Sequence, residues 1–94
     1  MESGLTLLHW AAKKGHLSLC KLIIRNVKNK NPKSQIGRTP LHMAAWYGHL
    51  AICQVILDQV DEKNPKDNAG WTPLRCAAAK GHVSITEMIF NTIK

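Results

Sequence analysis

Between Gly37 and Val60 the chain reads GRTPLHMAAWYGHLAICQVILDQV, and its apolar positions fall into two groups. Leu41, Ala44 and Ala45 have the i, i+3, i+4 spacing of one helix face. The alanines make that helix thin, so a second helix can approach it closely. Thr39 before Pro40 reads as a helix start: the hydroxyl accepts a backbone N–H, and proline is tolerated at the first helical position. Gly48 reads as the stop, because glycine adopts positive φ without a steric penalty. Leu50, Ile52, Cys53, Val55, Ile56 and Leu57 predict a second helix, apolar over enough of its circumference to be buried on two sides. The segment DEKNPKDNAG follows, with turn chemistry at Asn64-Pro65 and Asn68-Ala69-Gly70. The predicted unit is turn, short helix, tight loop, longer helix, turn.

This unit recurs with a step of 33 residues: Gly4, Gly37, Gly70; Thr6, Thr39, Thr72; Leu8, Leu41, Leu74; Ile23, Ile56, Ile89. The pairs Ala11-Ala12, Ala44-Ala45 and Ala77-Ala78 keep the step, as do Gly15-His16, Gly48-His49 and Gly81-His82. A fixed period of this size predicts a stacked solenoid rather than a globule with one central core. TPLHMAAWYGHLAIC and WTPLRCAAAKGHVSI resemble the ankyrin repeat, whose pattern is T-P-L-H-x-A-A-x-x-G-H. The resemblance covers nearly the whole chain and implies an all-α solenoid of three units, at 1–33, 34–66 and 67–94. It further implies antiparallel helix pairs, hairpin-like turns projecting from them, and a concave groove between the turns and the first helices. His9 and His42 resemble the family's structural histidine, which ties the first helix to the turn.

Several positions depart from that pattern. Leu7 replaces proline, so the first helix is expected to start less firmly. Arg75 replaces histidine, which removes one side-chain bond to the turn. Val27, Val60 and Ile93 stand where the family has glycine, and predict longer second helices with the valines in a small apolar ladder. Met1 stands where an aspartate is expected, and Thr86 replaces Cys20 and Cys53 as the one cap-like change.

Composition narrows the classes. With 94 residues, 45% of them hydrophobic, the chain can bury one core. No apolar run approaches the roughly 20 residues that span a bilayer, and MESGLTLLHWAAKKGH lacks a signal peptide pattern, so an intracellular setting is expected. Cys20 and Cys53 are one period apart. Stacked helices lie about 8–10 Å apart, whereas a disulfide needs Cα atoms within about 7 Å. All three cysteines therefore read as reduced, small apolar fillers.

His16, His49 and His82 are likewise too far apart for zinc, whose nitrogens sit at about 2.0–2.1 Å. Each is expected to bond loop backbone within its own repeat. The chain has no nucleophile elbow, phosphate loop or placed acid–base pair, so neither catalysis nor a cofactor is expected. Asp58, Asp61 and Glu62 read as solvated charges at a helix end.

The net charge of +7 resides mostly in residues 1–33, which hold seven bases and one acid. Lys21, Arg25 and Lys28 are spaced to share a helix face, but no aromatic residue interleaves with them. A solvated face is the better reading, ahead of nucleic acid or acidic lipid binding.

The repeat pattern leaves some positions free to serve function. They are Glu2, Ser3, Leu5, Lys13 and Lys14; Gln35, Ile36, Arg38, Trp46 and Tyr47; and Asn68, Ala69, Trp71, Ala79 and Lys80. Trp46, Tyr47, Trp71 and Arg38 are of the types that dominate binding hot spots. The expected function is therefore non-catalytic protein binding in the groove, with those four as anchors and Ile36 as a candidate contact near them. Lys13, Lys14 and Lys80 would favour an acidic partner. Trp46→Ala is expected to weaken binding by about 1–3 kcal/mol. Trp10 shares its position in the repeat with Met43 and Cys76 and is expected to be partly buried. The alternative reading is a piece or spacer of a longer array, whose uncapped ends would associate end to end.

Overall fold

The computed structural model describes residues 5–94, so Met1, Glu2, Ser3 and Gly4 lie outside the described residues. Six helices follow in order: α1 (Leu7–Lys14), α2 (Leu17–Asn26), α3 (Pro40–Tyr47), α4 (Leu50–Gln59), α5 (Pro73–Ala79) and α6 (Val83–Ile93). The short helices form one row, α1 on α3 and α3 on α5. The longer ones form a second row, α2 on α4 and α4 on α6. Ala11, Ala12, Ala44 and Ala45 are fully buried between the rows, which is what allows the close approach. Leu41, Ile52, Ile56 and Ile89 fill the space around them. Each such side chain contributes about 1.5–3 kcal/mol on burial. The buried residues form one continuous cluster through all three repeats, and the molecule measures 28 × 26 × 23 Å. The core thus runs along the stack from one helix pair to the next, as the solenoid reading expects.

The helix starts are set by side chains. Thr39 Oγ1 accepts the His42 N–H at 3.3 Å, and His42 Nδ1 accepts the Thr39 N–H at 3.0 Å. Thr6 and His9 repeat this capping box, with His9 N–H to Thr6 Oγ1 at 3.3 Å and Thr6 N–H to His9 Nδ1 at 3.1 Å. The first helix therefore starts with the same cap as the second. Proline at that position omits an N–H that the helix does not use and presets φ, whereas the threonine and histidine make the cap. At α5 only half of the box remains: Thr72 Oγ1 accepts the Arg75 N–H at 3.1 Å.

The second helices end otherwise than expected. α2 and α4 do not lengthen; Val27 and Val60 are already extended, both at φ −109°. Lysine replaces glycine as the terminator. Lys30 Nζ donates to the carbonyls of Ile24 (2.5 Å) and Val27 (2.9 Å). Lys63 Nζ donates to those of Leu57 (2.6 Å) and Val60. An ammonium there satisfies carbonyls left open by the last turn and lies at the negative end of the helix dipole. Val60 is buried and Val27 half-buried, but Ile93 lies within α6 with its side chain exposed, so the apolar row does not continue. Lys28 falls beyond α2, leaving only Lys21 and Arg25 on a shared helical face.

Candidate functional site

The turns are built first by their own backbone. Ser34 N–H donates to the Arg38 carbonyl at 2.8 Å, and Asp67 N–H to the Trp71 carbonyl at 2.8 Å. Asn68 N–H then donates to the Ile36 carbonyl at 2.9 Å, joining the two turns. Asp67 is almost wholly enclosed. Its carboxylate accepts the N–H groups of Ala69 (2.9 Å) and Trp71 (2.8 Å), and Arg38 Nε lies 3.4 Å away. Burial alone would raise the pKa of Asp67. The backbone donors and the guanidinium outweigh it and hold the group below its ordinary value.

Two sets of histidines tie the turns and helices together. His9 Nε2 donates to the Arg38 carbonyl at 2.7 Å, and His42 Nε2 to the Trp71 carbonyl at 2.8 Å, so each first helix holds the turn of the next repeat. Burial lowers the His42 pKa, as a neutral ring with one donor and one acceptor nitrogen requires. The other set differs from expectation. His49 Nε2 bonds the Lys13 carbonyl and His82 Nε2 the Trp46 carbonyl, both at 3.0 Å, so these rings reach across to the preceding repeat instead of closing their own loop. Gly15 and Gly48 make room for them. Each has φ +80°, and a Cβ there would lie 2.7 Å from the His49 or His82 ring.

On this frame sit the side chains singled out from sequence. Trp46 and Trp71 are half-buried and meet edge to face, with centroids 6.0 Å apart at 71°. Lys80 Nζ lies 5.0 Å from the centre of the Trp46 ring, and the Arg75 guanidinium 4.2 Å from that of Trp71. Tyr47 is exposed, with Lys13 Nζ 5.6 Å from its ring centre. A hollow of about 650 Å³ lies between the first helices and the second turn, bordered by Leu5, Trp10, Lys13, Arg38, Met43 and Tyr47. Ile36 is exposed at the turn, and Lys14 at the end of α1. The structure thus brings Lys80 to Trp46, and Arg38, Lys13 and Tyr47 to the hollow. Ile36 and Lys14 do not border the hollow.

Trp10 is the residue that sequence reasoning missed. It is 47% exposed rather than partly buried, on the wall of the hollow, with its ring 5.0 Å from that of His16. The signal was present in the spacing: Trp10 lies three residues from both Leu7 and Lys13, on the stripe opposite Leu8, Ala11 and Ala12. Arg75 was missed as well, having been read only as a lost histidine.

The second-helix side is different. Lys21 and Arg25 share a shallow depression with Asp58, and Lys28, Lys30 and Lys33 share another with Asp61 and Glu62. Part of the basic charge of the first repeat thus shares these depressions with acids of the second.

Stacked antiparallel helix pairs define a helical repeat protein. The family model for ankyrin repeats, in 3 copies, matches residues 8–94, and the chain belongs to that family. Ankyrin repeats are in general protein-interaction modules. Comparison with curated proteins gives no match. Among the described residues no helix is long and apolar enough to cross a membrane.

Proposed function

We propose that the chain is a non-catalytic binding module, needing no cofactor, that holds an acidic segment of another protein in the hollow between turns and first helices. The observation that carries this is charge segregation. α1, α3 and α5 contain no acidic residue, while Lys13, Lys80 and Arg75 each lie over an aromatic ring of this face. Cations and rings side by side favour a ligand that brings both carboxylates and apolar groups. Trp10 and Tyr47 would make the direct contacts. Arg38 would form the turn-side edge; Trp46, Trp71 and Ile36 lie outside the hollow and would meet a ligand that extends beyond it, and Lys14 adds to the attracting field. The three enclosed, unpaired thiols support an intracellular setting for this activity.

The test is capture of a partner by the intact chain and by Tyr47→Ala and Trp10→Ala variants of equal stability. Each replacement is expected to weaken binding of the captured protein by about 1–3 kcal/mol, and added salt to weaken it further. Equal capture by all three chains, or affinity indifferent to salt, would contradict the reading.

A further inference from the structure

Four side chains form a line across the two internal joints of the stack, at the loop ends of the short helices. Lys13, in the last turn of α1, lies over the Tyr47 ring, and Lys80, at the end of α5, lies over the Trp46 ring. The two rings are neighbours in the last turn of α3. The middle repeat thus presents two aromatics, and each flanking repeat supplies one ammonium. The places correspond: one period of 33 residues takes Lys13 to Trp46 and Tyr47 to Lys80. Both lysines are exposed, and among the described residues neither pairs with a carboxylate, whereas Arg38 is already held by Asp67. A cation over an exposed ring is held weakly, so a carboxylate arriving from outside can draw it away.

We propose that this line reads the spacing of acids in the ligand: an extended segment with two acidic residues six positions apart and apolar residues between them, one acid on Lys13 and the other on Lys80. This register rests on the acidic-segment reading above and extends it to the third repeat. Helices packed side by side lie about 8–10 Å apart, and α3 stands between α1 and α5, so the outer two are roughly 16–20 Å from each other. An extended chain rises about 3.3 Å per residue, so five or six residues cover that span. Its side chains alternate between two faces, so acids that meet the same surface are separated by an even number of positions. Six satisfies both conditions. Between the acids the segment passes Tyr47 and Trp46, which suit apolar side chains. A helix fits less well. It is about 10–12 Å across, so a length of about 10 Å fills roughly 800–1,100 Å³, against about 650 Å³ in the hollow.

Fluorescence anisotropy of labelled synthetic peptides on the whole chain tests the register. Each peptide carries two aspartates in an otherwise uncharged chain of leucine and serine, spaced by two, five, six, seven or twelve positions. The six-spaced peptide is expected to bind tightest, about threefold tighter than its five- and seven-spaced neighbours, the size of one exposed ion pair. Lys13→Met and Lys80→Met keep the apolar stems and should each abolish that preference. Asparagine in place of one aspartate should cost affinity in one lysine variant and none in the other, with the roles exchanged for the second aspartate. Salt-sensitive binding that is equal at all spacings overturns the register and leaves the acidic-segment reading standing. Tightest binding at twelve, the spacing a helix needs, overturns the extended form. No binding by any peptide overturns both. Circular dichroism checks that the variants fold, and the peptide series on the unmodified chain decides the matter without them.

Discussion

The second and third repeats differ most at one position. In the second, His42 is enclosed and uses both ring nitrogens, one in the cap of its own helix and one on the following turn. In the third, Arg75 keeps its backbone bond to Thr72 but sends its side chain over Trp71. The same place in the repeat thus serves cohesion in one copy and surface chemistry in the next. A pattern position is defined by what its neighbours need.

His42→Ala should break the comparison most strongly. It leaves the Thr39 N–H without its partner in an enclosed space and removes one of the two donors to the Trp71 carbonyl, which keeps the Asp67 N–H, and a loss of roughly 2–4 kcal/mol is expected in urea unfolding. The same residue gives a pH signature. Its folded pKa lies below its unfolded value, so as pH falls below about 6.5 the unfolded chain takes up a proton that the folded chain refuses. Stability should therefore fall between pH 7 and 5, by less in the His42→Ala chain. Equal slopes in the two chains would show that His42 is not the source. Lys63→Met keeps the apolar stem and removes the ammonium from the end of α4; about 0.5–1 kcal/mol should be lost, chiefly at low salt. Smallest of all, Arg75→Ala should change stability by only a few tenths of a kcal/mol, even though it removes a cation from the binding face. A loss comparable to that of His42→Ala would mean that Arg75 has a structural role after all.

Much of this fold is legible in the chain because its determinants are local. Thr39 and Gly48 bound α3, and the alanine pairs mark the buried side of each short helix. The departures from expectation arise where a partner is distant or where one chemistry stands in for another. His49 finds its acceptor 36 residues away, a relation no local period displays. Val60 is extended because Lys63, three residues later, folds back onto the helix end. Leu7 costs the cap nothing because Thr6 and His9 supply it. The candidate site is legible in part for the same reason. Tyr47 and Lys13 are free of the repeat pattern and therefore visible, while Trp10 was masked by sharing a row with Met43 and Cys76.

Each repeat contains one enclosed cysteine: Cys20 in α2, Cys53 in α4 and Cys76 in α5. Burial pushes their thiols up to about 11, about 12 and about 11 respectively. Alkylating reagents attack the thiolate, so none of the three reacts at neutral pH until its own repeat opens. The chain therefore carries one clock per repeat. If the array opens from its ends, Cys20 and Cys76 are labelled before Cys53; if it opens as a whole, the three are labelled together.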